Sequence, residues 1–541
     1  MLFTSITFAF FLPLIFIAYW AVPEKYRFIV LFIADIIFYM YGGPVYILLL
    51  AAIAGVTYFA ALKIDSERGN PFAGEEKPSD GSAKEPDTVS DRILVGYGIG
   101  SERTESDNKL ALLEEEGRGG SPGKAYMVAA AVIVIGLLAF FKYANFTLNT
   151  LSAICRAVSI SFSPSTLKLA LPLGISFYSF AAIGYVADVY RGKIKAERSF
   201  IKYFSFVAFF PSVLSGPINR AGDILPQINE PPAFDYDEAV VGLRQMLWGF
   251  FKKLIIADTL AIYVNLIFDN ARYYFGLTLI MATVFYTFQI YCDFSGYSDI
   301  AIGTARLLGF RCRENFKSPY FSRSDKEFWT RWHISLSSWF RDYVYIPLGG
   351  SRVSEGRHNI NLMLTMLLSG LWHGADWSFV IWGGLHGVYQ VIEDFCHRHL
   401  AKKENRGKKE RDIVRSIPWN IGHGILTFGM VSFAWSFFRA NNTSDALFIA
   451  AHMPRGLRHI AGSWVLMLNS MLLDGAKFAW ITAYLVILMI VDFIGLKHDI
   501  YRLFGKLPLI LRWVIYTALT AFIIVMSLNG GQHQEFIYFS F

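Results

Sequence analysis

Long apolar runs recur through this chain, and they leave it few ways to fold. A helix that crosses the hydrocarbon core of a bilayer needs about 20 mostly apolar residues. Runs approaching that pattern occupy residues 6–22, 26–41, 44–62, 126–141, 167–190, 200–214, 239–268, 277–293, 363–395, 421–438, 478–494 and 507–528. Lipid offers no partner for backbone N–H and C=O groups, so such runs satisfy them internally as helices. The expected fold is all-α and polytopic, with roughly 10–13 membrane helices. Several runs contain Gly, Pro or a charge, so some are expected to be broken or re-entrant where they line a cavity.

Composition agrees. Of the 541 residues, 54% are hydrophobic and only 17% charged, against about 25% charged in soluble proteins. Aromatics reach 16%, which suits a chain with rings at lipid interfaces. The net charge of +7 does not point to nucleic acid, because the basic residues fall in loops between apolar runs. Two basic stretches, 306–357 and 399–415, are expected to face the cytoplasm. The cysteines at 155, 292, 312 and 396 are widely spaced and form no CxxC pair, so no metal site or disulfide framework is expected. The run at 6–22 follows no basic segment and precedes no small-residue cleavage site, so it reads as a retained first helix.

Three regions follow. Residues 1–62 form N-terminal transmembrane helices. Residues 63–124 are rich in Glu, Asp, Lys, Ser and Gly, a composition that buries no core, and read as a disordered insertion. Residues 125–541 form the rest of the membrane domain, with a chemistry-bearing block at 291–387 and an aromatic tail at 534–541.

Ionisable residues at membrane depth are costly and by default mark function. Asp293 and Asp299 interrupt an apolar stretch, where they either face a cavity or brace helices around Gly296 and Gly303. Residues 327–350, read as one helix, place Trp329, Trp332, Leu336 and Phe340 on a single apolar face. That is the pattern of an interfacial helix. His333, Ser337 and Arg341 then share a line beside that face, and His333 alone reads equally well as an interfacial hydrogen-bonding residue. His373 lies in a strongly apolar run between Gly370 and Gly374, small neighbours that allow close approach. It is the candidate general base. Asp376, three residues on, could orient its ring. His386 is a further candidate, or a packing histidine.

The ordered motifs Ser176-Phe-Tyr-Ser-Phe, Asp188-Val-Tyr-Arg-Gly, residues 209–218, 291–303, 316–320 and 327–350, Ser369-Gly-Leu-Trp-His-Gly, and Trp435-Ser-Phe-Phe-Arg-Ala resemble those of the membrane-bound O-acyltransferase family. More narrowly they resemble the branch that holds the alginate O-acetylation subunit, peptidoglycan O-acetylation proteins and the D-alanyl transfer protein of teichoic acids. The resemblance implies a ring of tilted helices, with interfacial and re-entrant helices, around a central funnel in a bacterial inner membrane. It implies His373 as the catalytic histidine and His333 as its partner. It also implies an acyl thioester donor, most simply acetyl-CoA, with no bound cofactor or metal. A polysaccharide acceptor and an extracytoplasmic, serine esterase-like acetyltransferase are the partners implied. The ending Phe536-Ile-Tyr-Phe-Ser-Phe541 is similar to aromatic tails of such systems, making Tyr538 a possible acyl carrier, or else an interfacial anchor.

Direct attack by the acceptor on a thioester needs no protein serine or cysteine nucleophile, and no G-x-S-x-G elbow is present. D-alanyl transfer, a polysaccharide or lipid transporter, and a non-catalytic scaffold for export enzymes are the competing readings. Against a transporter stand the lack of a nucleotide-binding motif and the clustering of polar residues between His333 and His373.

Overall fold

The structure is a computed structural model, and it describes residues 1–68, 123–167, 169–404, 417–528, 534 and 536–539. Residues 69–122 of the polar insertion, the end of the basic stretch 399–415 and the last two tail positions lie outside the described residues.

Every regular element among the described residues is a helix. In chain order they are α1 (Ile6–Ala21), α2 (Arg27–Met40), α3 (Tyr46–Glu67), α4 (Lys124–Ala157), α5 (Ile175–Tyr190), α6 (Phe200–Val207) and α7 (Ala221–Asn229). Then come α8 (Tyr236–Phe250), a π-helical segment (Phe251–Ala257), α9 (Asp258–Phe268), α10 (Leu277–Leu307), α11 (Asp325–Arg331) and α12 (Ile334–Phe340). The remainder are α13 (Glu355–His373), α14 (Trp377–Glu404), α15 (Ile417–Arg439), α16 (Thr443–His452), α17 (Ile460–Ser470), α18 (Gly475–Gly495), α19 (Ile500–Phe504) and α20 (Leu509–Leu528). A polytopic all-α membrane protein is what the apolar runs require.

Among the described residues, six helices are long and apolar enough to cross a bilayer: α3, α4, α10, α15, α18 and α20. They fall into two kinds. In α10, 78% of the most apolar window is buried within the protein, whereas in α20 only 6% is. The first is therefore a central post, and the second presents its apolar side chains outward, as a lipid-facing helix does. Helices α8, α9 and α15 and the π-helical segment all pack on α10.

The count of long spans is lower than the 10–13 expected, because several apolar runs are shorter or divided. The run 167–190 is helical only from Ile175, and the run 200–214 leaves helix after Val207 for consecutive turns. The run at 277–293 instead continues to Leu307, passing both carboxylates. Their charge is compensated inside the protein. Lys253 lies 2.6 Å from Asp293 and Lys252 lies 2.6 Å from Asp299.

The run 363–395 is the instructive correction. It is not one span but a helical hairpin, α13 followed by α14, divided at residues 374–376. Asp376 ends the extended break by accepting the Ser378 N–H at 2.8 Å, which starts α14. The two helices approach through glycines: a Cβ on Gly370 would collide with the Phe379 carbonyl, and one on Gly383 with the Met366 carbonyl. Gly370→Ala is therefore expected to lower stability by about 1–3 kcal/mol, the cost of overpacking a tight contact. Thermal unfolding of the purified protein in detergent checks this, and an unchanged midpoint would contradict so close an approach.

Candidate active site

His333 sits at a bend, not within an amphipathic helix. Helix α11 stops at Arg331 and α12 begins at Ile334, and His333 between them has φ 43° and ψ 53°. A non-glycine residue in the left-handed region is held there by its surroundings and recurs at functional sites. The holding network is specific. The Asn315 carbonyl accepts the Ile334 N–H at 3.0 Å, and the Ser335 hydroxyl donates to Asn315 Oδ1 at 2.9 Å while accepting the Ile218 N–H at 3.0 Å. Asn315 Nδ2 in turn donates to Ser298 Oγ on α10 at 3.0 Å. The single line of His333, Ser337 and Arg341 therefore does not exist. Trp329, Trp332, Leu336 and Phe340 are all buried, so the segment is an internal bend rather than an interfacial helix.

His373 is the last residue of α13. The closing carbonyls of a helix lack intrahelical donors and carry the negative end of its dipole. Here Lys142 of α4 supplies the donor, its Nζ reaching the Trp372 carbonyl at 2.5 Å and the His373 carbonyl at 3.0 Å. The Tyr143 hydroxyl donates to the Leu371 carbonyl at 2.8 Å. Helix α4 thus grips the end of α13 that presents His373. Sequence reasoning missed Lys142; its only signal was a basic residue directly after the apolar run 126–141, which reads as a flank until α4 is seen to run on to Ala157. Lys142→Gln is expected to cost about 2 kcal/mol of stability, since bonds to charged groups are the stronger kind. It should also slow transfer roughly tenfold or more by loosening His373. Thermal midpoints and turnover measured on one preparation separate these two effects.

The two histidines and Tyr538 converge. Ring centroids lie 6.2 Å apart for His333 and His373, 5.6 Å for His373 and Tyr538, and 6.3 Å for His333 and Tyr538. Aromatic rings enclose them: Phe294 meets His333 edge-on at 4.6 Å, and Trp372, Trp382 and Phe438 surround His373 at 4.8, 5.0 and 5.3 Å. Both imidazoles are buried, and among the described residues neither ring nitrogen of either one has a hydrogen-bond partner. Buried polar atoms are nearly always paired, so two imidazoles with four unpartnered nitrogens call for a chemical explanation. A cavity of 30 Å³ reaches His373 and Tyr538, walled also by Lys142, Ser176, Phe177 and Trp372. His373 therefore lies inside the protein at the edge of a small cavity rather than in lipid-facing packing.

The remaining candidates lie around this centre, not in it. Ser337 donates to the carbonyls of Trp332 and His333 at 3.3 and 3.2 Å, bracing the bend. Arg341 donates to Asp342, which also pairs with Arg220 at 3.1 Å. Asp376 does not orient His373: its carboxylate accepts from Ser378 N–H and the Thr443 hydroxyl, because it starts a helix. Asp299 accepts from Gln245 at 2.9 Å as well as pairing with Lys252, a brace between α8, the π-helical segment and α10. Asp293 joins the tail instead, accepting the Ile537 N–H at 2.8 Å. His386 is fully buried with Nδ1 2.7 Å from Asp325, one tryptophan away from His373.

Known proteins are similar to this chain, one of them over its whole length. It is 34% identical to the probable alginate O-acetylase AlgI of Pseudomonas putida, with all of both chains covered. It is 30% identical to the peptidoglycan O-acetyltransferase of Helicobacter pylori over 77% of this chain and 82% of the relative. A teichoic acid D-alanyltransferase of Streptococcus thermophilus is 31% identical over 49% of this chain and 68% of that protein. The family model of the membrane-bound O-acyltransferases matches residues 193–421, a span that contains both histidines, the bend at 333 and the hairpin whose first helix ends in 373. The chain is a multi-pass membrane acyltransferase and belongs to the membrane-bound O-acyltransferase family.

Proposed function

We propose that this enzyme takes an acetyl group from acetyl-CoA at the cytoplasmic side of a bacterial inner membrane and delivers it for O-acetylation of an exported, alginate-like polysaccharide. The observation that carries this reading is the pair of buried imidazoles, unpartnered among the described residues, whose rings lie 5.6 and 6.3 Å from that of Tyr538, with His373 and Tyr538 at the edge of a cavity. Acyl transfer to a hydroxyl needs a base for the departing proton and a donor for the oxygen of the tetrahedral intermediate. His373, uncharged, is the base. His333, rigidly bent into place, donates to the oxyanion.

In the first step the Tyr538 oxygen attacks the thioester carbonyl and its proton passes to His373. The C–S bond breaks, and the thiolate takes the proton from His373 as it leaves. The product is an aryl acetate on Tyr538. A phenoxide leaves more readily than an alkoxide, so this ester remains a competent donor. An acceptor hydroxyl, on a serine of an extracytoplasmic acetyltransferase or on the glycan, then takes the acetyl group and the tyrosine hydroxyl is restored. Acetyl rather than D-alanyl transfer is favoured because the likeness to a probable alginate O-acetylase spans the full chain, whereas the likeness to a D-alanyltransferase spans about half.

The test is incubation of purified protein with isotopically labelled acetyl-CoA, followed by mass spectrometry of the C-terminal peptide. A label on Tyr538 that a second, acceptor-containing incubation removes is the expected result. A peptide that stays unlabelled while labelled acetyl reaches the acceptor would refute the carrier step, and no acetyl transfer at all would refute the activity.

A further inference from the structure

The tail that carries Tyr538 is held by two kinds of contact, and they do different work. Phe536 is fully buried, with its ring 4.3 Å from Tyr297 and 5.6 Å from Tyr538, and Tyr538 lies 4.5 Å from Phe294. These contacts hold the tail against α10. Burial is non-directional, however, and an aromatic strand can slide along an aromatic wall without losing much of it. A slide of one residue would carry the tyrosine ring away from the imidazoles.

Register needs directional bonds, and a buried charge cluster provides them. Lys253 lies in the π-helical segment after α8, and its Nζ is 2.8 Å from Asp258 and 2.6 Å from Asp293. Its third acceptor belongs to the tail, the carbonyl of Gln534 at 3.0 Å. Asp293 completes the arrangement from α10. One carboxylate oxygen faces Lys253, and the other accepts the Ile537 N–H at 2.8 Å. Asn265 adds a longer bond to the Gln534 side chain at 3.4 Å. Two tail backbone groups are thereby fixed, one on each side of Phe536 and both within four residues of Tyr538.

Burial of the cluster gives the same answer. Lys253 pairs with both carboxylates, and Lys253 and Asp293 are only 2% and 3% exposed. A buried carboxylate needs donors, and the tail amide is one. Buried ion pairs contribute little net stability compared with well-packed apolar side chains, and their best-attested use is to fix register. π-Helical turns likewise concentrate at functional sites.

We propose that the Asp258–Lys253–Asp293 cluster is a latch that sets the register of the C-terminal tail and so positions the Tyr538 hydroxyl between His333 and His373. Lys253 and Asp293 are positioning residues. The inference rests on Tyr538 acting as the acyl carrier for its catalytic meaning, but the docking itself is measurable without that assumption.

The experiment uses the full-length protein in detergent and reads two quantities. Hydrogen–deuterium exchange of the peptide covering residues 534–539 reports docking, and the rate of Tyr538 labelling from isotopic acetyl-CoA reports register. In Asp293→Ala, tail exchange is expected to rise at least tenfold and the labelling rate to fall at least tenfold, with the half-saturating acetyl-CoA concentration unchanged. Asp293→Asn keeps an acceptor oxygen for the Ile537 N–H and is expected to recover most of both. A second pair of variants leaves the buried cluster intact. Ile537→Pro removes the N–H, whereas Ile537→Ala removes only the side chain, and proline is tolerated at the first position of the short helical turn Ile537–Phe539. The latch predicts that Ile537→Pro loosens the remaining tail amides several-fold more than Ile537→Ala.

Tail exchange within twofold of the native protein in both Asp293→Ala and Ile537→Pro overturns the latch, whatever the labelling shows. Faster exchange with undiminished acetyl transfer to the acceptor supports the latch and instead refutes the carrier role of Tyr538.

Discussion

His373→Leu is expected to abolish acetyl transfer while leaving the protein at least as stable as before. The two halves of that expectation have one cause. Both ring nitrogens of His373 are buried without a partner among the described residues, and such groups each cost about 1–3 kcal/mol relative to a satisfied or apolar replacement. Leucine fills much of the same space among Trp372, Trp382 and Phe438 and carries no polar atom. Stability is therefore held or raised. Loss of a general base costs a factor of roughly 10²–10⁴ in turnover. Thermal unfolding and acetyl transfer measured on the same preparation decide the matter. A variant that keeps more than a tenth of native turnover would remove His373 from the mechanism, and a large drop in melting temperature would make it a structural residue. Active sites that trade stability for function show this opposition.

Tyr538→Phe is the second large effect, and it is the narrowest change available. One oxygen is removed, while the ring contacts to Phe294, Phe536 and Phe177 remain, so the tail stays docked. With the hydroxyl gone, the aryl ester has nowhere to form. Transfer from acetyl-CoA to the acceptor is expected to fall at least 100-fold, the labelled C-terminal peptide to vanish, and the melting temperature to stay within a degree or two. Normal transfer in this variant would leave Tyr538 as an aromatic anchor and nothing more. The two variants also differ from each other. The His373 variant retains the hydroxyl but lacks the base, so slow residual labelling is compatible with it, whereas none is compatible with Tyr538→Phe.

Much of the site was legible in the order of residues. His373 stands out because an ionisable side chain between glycines in an apolar run is costly unless used. The aromatic ending flagged Tyr538, and the acidic pair flagged α10. What misled was the assumption of continuous helix. Residues 327–350 have a helical apolar period, yet the chain bends at His333, since Asn315 and Ser335 reward the left-handed conformation with hydrogen bonds that no periodicity records. Asp376 looked like a partner for His373 because it is three residues away, but α13 has ended and the spacing no longer applies. Lys142 and Lys253 were overlooked for a related reason, as their partners are main-chain carbonyls and carboxylates far along the chain.

Embedding in a membrane, an all-helical architecture, the acyltransferase family and the identity of the candidate base were properties of the sequence by itself. Each depends on hydrophobicity or on short ordered motifs, which are local and additive along a chain. Only the tertiary structure decided that the rings of His333, His373 and Tyr538 come together, that α4 grips the end of α13, and that a carboxylate holds a tail amide 244 positions away. Those arrangements come from long-range packing, in which glycine-faced helices close together and buried charges find donors far along the chain. No local rule can report a contact whose free energy exists only once both distant partners have left solvent.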